Sequence, residues 1–129
     1  MELLPEGQKN SIQVLWEDQQ KINRFSSLIN AKDELSSKLE KLKTEKDYID
    51  DLSLELELVD EDEKIQYKFG DGFIFLKAEQ VLEKIDKTNT DLTSKIEDAE
   101  SKIDDLNDQL NELKTDLYAK FGKNINLER

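Results

Sequence analysis

Residues 51–77 read "DLSLELELVDEDEKIQYKFGDGFIFLK", and their period decides the fold. Leu52, Leu54, Leu56 and Leu58 alternate with Ser53, Glu55 and Glu57. An apolar residue at every second position places one face of a strand on apolar surface. The acidic run Asp60-Glu61-Asp62-Glu63 then reads as a turn. Ile65, Tyr67 and Phe69 resume the alternation, and Gly70-Asp71-Gly72 bulges the strand before Phe73 and Phe75. The expectation is one β-hairpin over 52–77.

Outward from the hairpin the period changes. Leu82, Ile85, Asn89, Leu92, Ile96, Ala99, Ile103, Leu106, Leu110, Leu113, Leu117 and Lys120 follow an unbroken 3-4 spacing. Ten of these twelve are apolar, and the residues between are mostly Asp, Glu, Lys, Asn and Ser. A seam sustained that long is a coiled-coil helix. Before the hairpin a shorter seam runs through Phe25, Leu28, Lys32, Leu35, Leu39, Leu42, Lys46 and Ile49. A hairpin reverses the chain, so the two helices pair antiparallel. With Ile49 beside Leu82, Phe25 falls opposite Leu106. The Leu15–Trp16 region then comes beside Leu117 and Tyr118.

Composition agrees with long helices. Of 129 residues, 39% are charged and 36% hydrophobic, with one Pro and four Gly. That is too little apolar content for a compact sphere and enough for narrow seams. The net charge of −12 offers no basic stripe to nucleic acid or to anionic membranes. Without cysteine or histidine there is no disulfide, thiol nucleophile, imidazole base or ordinary zinc site. No apolar run approaches the ~20 residues of a membrane span. The opening "MELLPEGQKN" lacks a signal's basic and apolar regions, so an intracellular, reducing compartment is expected.

The chemistry-bearing motifs fail on inspection. A calcium loop beginning at Asp60 would want Gly at its sixth position, where Ile65 stands. Gly70-Asp71-Gly72 has neither the spacing nor the lysine of a phosphate cradle. Carboxylates abound, but none pair in an apolar pocket as acid–base work requires. No enzyme activity, metal or cofactor is expected. Lys32, Lys46 and Asn89 interrupt the seams and read as register-setting polar positions.

Two regions remain as candidate sites. The hairpin carries Leu54, Leu56, Leu58, Ile65, Tyr67, Phe69, Phe73 and Phe75 on a two-stranded unit that is marginal alone, so it is expected to join strands of other chains. At the far end Val14, Leu15, Trp16, Ile22 and Phe25 gather near Leu117, Tyr118, Phe121, Ile125 and Leu127. They can close the open end of the coil against each other. Ten large residues overfill a seam two wide, so part of the cluster is expected to face solvent or a partner.

Three stretches resemble the prefoldin family: "WEDQQKIN" at 16–23, "LVDEDEKIQYKFGDGFIFL" at 58–76 and "LYAKFGKNINLE" at 117–128. A single hairpin fits a β-type subunit, since α-type subunits carry two. Family members usually show Thr and then Phe where Leu15 and Trp16 stand, so a capping hydroxyl is missing. The resemblance implies a mainly α fold in one prefoldin-like domain over 1–129, a long antiparallel coiled coil whose hairpin contributes to an oligomeric β-barrel. Its expected parts are a tail over 1–15, helices over 16–51 and 78–121, the hairpin over 52–77 and a tail over 122–129. It further implies a cytoplasmic heterohexamer, some nuclear presence allowed, in which this chain joins two α-type and three further β-type subunits. Such an assembly works without ATP, holds unfolded actin and tubulin at its coiled-coil tips, and passes them to the cytosolic chaperonin. A different class of function, a coiled-coil tether without holding activity, would explain the seams but not the apolar tips.

Overall fold

The computed structural model describes Glu2–Leu3 and residues 13–127. The expected tails over 1–15 and 122–129 lie partly outside these residues. In chain order the elements are β1 (Glu2–Leu3), α1 (Trp16–Glu57), β2 (Lys64–Phe69), β3 (Gly72–Lys77), α2 (Ala78–Phe121), a 3-10 turn (Gly122–Asn124) and β4 (Ile125–Asn126). They fall into two compact units, residues 38–100 and residues 1–37 with 101–129.

In the first unit the hairpin is present but shorter than the sequence suggests. The segment from Leu52 to Glu57 is the last part of helix α1, not a strand. Leu and Glu are both strong helix formers, and no β-branched residue appears until Val59. Leu52 and Leu56 extend the stripe of Ile49 about two turns further, onto Val81 and Ile85 of α2. Leu54 and Leu58 point outward, Leu58 being 90% exposed. A Leu at every second position satisfies both periods, and packing against α2 decides for the helix.

The acidic run acts as a connector rather than as the hairpin turn. Leu58 and Val59 donate back to the carbonyls of Glu55 and Leu56 at 3.2 Å, tightening the helix end. Ala78 N–H then donates to Glu63 at 2.8 Å, and Glu79 N–H to Glu61 at 3.2 Å. The run thus satisfies two of the orphan donors at the start of α2, and its negative charge suits that helix end. Gln80 Oε1 accepts from Lys77 N–H at 3.1 Å, the backward half of a capping box.

The true turn is Gly70–Asp71. β2 and β3 pair antiparallel with Phe69 opposite Gly72, so two residues join them. Gly70 has φ +59° and among the described residues no non-glycine residue, Asp71 included, has positive φ, the type II′ pattern that wants Gly first. The glycines therefore turn the chain instead of bulging a strand. Ile65, Tyr67 and Leu76 lie against the Leu56–Val81–Ile85 cluster.

In the second unit α1 and α2 run antiparallel. Arg24 donates to Gln109 at 3.1 Å, and Lys21 lies 3.6 Å from Asp116. Phe25 packs with Leu110, Leu117 and Phe121 rather than opposite Leu106, a shift of about one turn. α2 stops at Gly122, whose φ of +54° is the left-handed conformation that ends helices. No helix among the described residues is long and apolar enough to cross a membrane.

Candidate functional site

The tip is built around one buried cluster. Phe25, Leu110, Leu117, Phe121, Ile125 and Leu127 form its centre, with Val14, Ile22, Leu28, Ile29, Leu113 and Tyr118 half-buried around it. The 3-10 turn after Gly122 brings the chain back, so Ile125 and Leu127, two apart on an extended segment, both enter the cluster. Tyr118 Oη accepts Leu127 N–H at 3.2 Å, fixing the returning strand to α2. β4 in turn pairs antiparallel with β1, Leu3 opposite Ile125 and Glu2 opposite Asn126.

The start of α1 is held by charge. Leu15 has no side-chain oxygen to cap the helix, but Asp18 accepts Leu15 N–H at 2.9 Å, so one half of a capping box survives. Asp18 is buried and also accepts from Lys120 Nζ. The Lys120 bond, then the Leu15 N–H, hold its carboxyl below the usual carboxylate value of 3.8. The Lys120 ammonium lies 5.6 Å from the centre of the Phe121 ring.

The ten tip residues therefore divide. Phe25, Leu117, Phe121, Ile125 and Leu127 are core, each 4% exposed or less. Val14, Ile22 and Tyr118 are half-buried. Leu15 and Trp16 are the exposed pair, Trp16 at 73%. Asp18 and Lys120, which lock this end, carry a weak sequence signal: a lysine on an otherwise apolar seam, and an acidic residue three after the helix start.

The hairpin residues divide as well. Leu56 is buried, and Ile65 and Tyr67 are half-buried against its cluster. Leu54, Leu58, Phe73 and Phe75 are exposed, as is Ile74, which the alternation did not single out. The side chain of Phe69 lies outside the described residues. Phe73 and Phe75 sit opposite Lys68 and Gln66, on the face turned away from Ile65 and Leu76. Lys84 Nζ approaches the Tyr67 ring at 5.8 Å.

Two seam polar residues meet as a closed set. Lys46 Nζ donates to Asn89 Oδ1 at 2.8 Å and to Asp50 at 3.1 Å, while Asn89 Nδ2 donates to Asp50 at 2.9 Å. Asp50 is the member that seam reading missed, although its spacing of four from Lys46 is a helical pair. Among the described residues no group of three or more His, Cys, Asp or Glu could hold a metal.

With this geometry in view, a family model described as "Prefoldin subunit" matches residues 19–124. The chain belongs to the prefoldin family. Prefoldin subunit 4 of Saccharomyces cerevisiae is 55% identical over 129 residues, covering all of both chains. Prefoldin subunit 4 of Homo sapiens is 36% identical over 118 residues, 91% of this chain and 88% of that one. A crystal structure of the prefoldin β subunit from Thermococcus strain KS-1 matches with a TM-score of 0.78 at 14% identity, covering 85% of this chain and 96% of that one. It shares the prefoldin fold of two long helices joined by one hairpin. Prefoldins are chaperone subunits and not an enzyme family. The family model spans both seams and the hairpin, and its last matched residue is the end of the 3-10 turn.

Proposed function

We propose that this prefoldin subunit takes a β-type place in a cytoplasmic heterohexamer that holds unfolded proteins at its tips without ATP. Actin and tubulin are the proposed clients and the cytosolic chaperonin the proposed recipient. The observation that carries the reading is Trp16, a large aromatic 73% exposed at the first position of α1, beside exposed Leu15. A side chain of that size left in water is an anchor for another apolar surface. The Asp18 bonds to Leu15 N–H and Lys120 fasten the helix start that carries it. Each contact is weak, and several tips acting together raise avidity. Burial of client apolar surface, at about 25 cal/mol per Å², provides the attraction.

The hairpin supplies assembly in this reading. Phe73 and Phe75 form an exposed aromatic face on a two-stranded unit, which strands of neighbouring subunits would cover.

The test replaces Leu15 and Trp16 together by Ser in the reconstituted assembly. Light scattering from a denatured client should rise markedly faster than with the parent, while the native mass stays the same. Phe121 is unsuited to this test, because truncating so buried a ring costs about 3–5 kcal/mol of stability. Unchanged protection by the double variant would favour the tether reading, in which the tip only closes the coil.

A further inference from the structure

Within residues 38–100 the seam between the helices is broken by one polar layer, and that layer is closed on itself. Asn89 lies half-buried, with Ile85 and Leu92 buried about one turn to either side. Lys46 Nζ donates to Asn89 Oδ1 at 2.8 Å and to the two carboxylate oxygens of Asp50 at 3.3 and 3.1 Å. Asn89 Nδ2 donates to Asp50 Oδ1 at 2.9 Å and completes the ring. Lys46 and Asp50 belong to α1 and Asn89 to α2, so the ring exists at one alignment of the helices. Apolar seams do not choose so sharply. A helix sliding by one turn against a seam of three-to-four spacing meets much the same surface. The spacing accordingly admits Ile49 beside Leu82. In that alignment Lys46 falls opposite Ile85, and Asn89 opposite Leu42. Lys46 and Asp50 keep each other, being four apart on one helix, and the lysine stem lets its ammonium reach water. Asn89 loses both partners, and an amide stranded among apolar side chains is costly.

We infer that Lys46, Asp50 and Asn89 form an alignment key that selects the observed register over the one a turn away, with Asn89 the residue that discriminates. The key has a consequence for the hairpin. Ile65, Tyr67 and Leu76 rest on a cluster to which α1 gives Leu56 and α2 gives Val81 and Ile85. A slide of one helix parts Leu56 from the other two and takes away the surface on which the hairpin sits. Holding the register therefore holds the direction in which Phe73 and Phe75 face. The layer costs stability relative to an all-apolar seam, and a single alignment is what it gives in return.

The test measures register directly in the full chain. The sequence has no cysteine, so nitroxide labels go only where cysteine is introduced, at the exposed positions of Asp51→Cys on α1 and Glu100→Cys on α2. Double electron–electron resonance on the otherwise unchanged chain should give one distance. With Lys46→Leu/Asn89→Leu added, a second population should appear about 5 Å longer, one turn's rise, at unchanged helical content. Exchanging the pair, Lys46→Asn/Asn89→Lys, keeps a lysine and an amide within reach of Asp50 and should restore a single distance. One parent-like distance in the leucine variant overturns the inference. So does an exchanged chain that is as divided as the leucine variant. A leucine variant that loses its helix overturns it too, because the layer would then serve stability and not alignment.

Discussion

Asp18 shows how one residue couples the sequence to the state of the tip. It accepts from the Leu15 backbone at the start of α1 and from Lys120 near the end of α2. Both bonds favour the charged carboxylate, so its folded value lies below 3.8. A depressed folded value means the stabilisation is fully present above the unfolded value and disappears as pH falls through the folded one. Urea unfolding from about pH 7 down to about pH 2 should therefore show the parent more stable than Asp18→Asn at neutral pH, with the gap closing below about pH 4. A gap independent of pH would mean the charge is not what holds this end. Sequence reading located the residues of the tip but not their exposure. Heptad spacing and the apolar C-terminal stretch bring Phe25, Leu117 and Phe121 together. Which of them stay in water depends on Gly122 turning Ile125 and Leu127 back inward, and no periodicity reports that.

At the scale of elements, α2 is legible throughout, because its seam repeats without a break and few conformations but a helix satisfy it. The end of α1 is not. Leu52–Leu58 fits a strand by period and a helix by propensity, and the contacts of Leu52 and Leu56 with the α2 cluster settle it. The register expected with Ile49 beside Leu82 placed Phe25 opposite Leu106, whereas Phe25 packs with Leu110. Leu54 gives a sharp test of the helix. It is exposed, so Leu54→Ala should shift stability by no more than about 0.5 kcal/mol. Leu54→Pro removes an intrahelical donor and collides with the carbonyl four residues back, so a loss of about 3 kcal/mol or more is expected in urea unfolding. Equal, small effects of both would instead mark this segment as irregular or as an edge strand. The acidic run carries a similar lesson. Its composition says turn, and its carbonyls bonded to Ala78 and Glu79 show that it begins the next helix.

At the scale of the molecule, a chain with 36% hydrophobic residues still leaves Leu54, Leu58, Phe73 and Phe75 exposed around one hairpin. A chain so sparing of apolar residues gains nothing by showing them to water unless they meet a partner. Membership of the prefoldin family implies assembly with other prefoldin subunits, and the exposed aromatic face is the place proposed for it. The sequence offered eight hairpin residues for that role without telling which stay exposed, because Leu56, Ile65 and Tyr67 turn inward to the subunit's own helices. Native mass spectrometry of this chain mixed with the remaining prefoldin subunits tests the central claim most directly. A heterohexamer containing the parent chain is expected, with Phe73→Asp/Phe75→Asp left unassembled although its helical content is unchanged. A parent chain that stays free or only self-associates, or a double variant that assembles as the parent does, would contradict it.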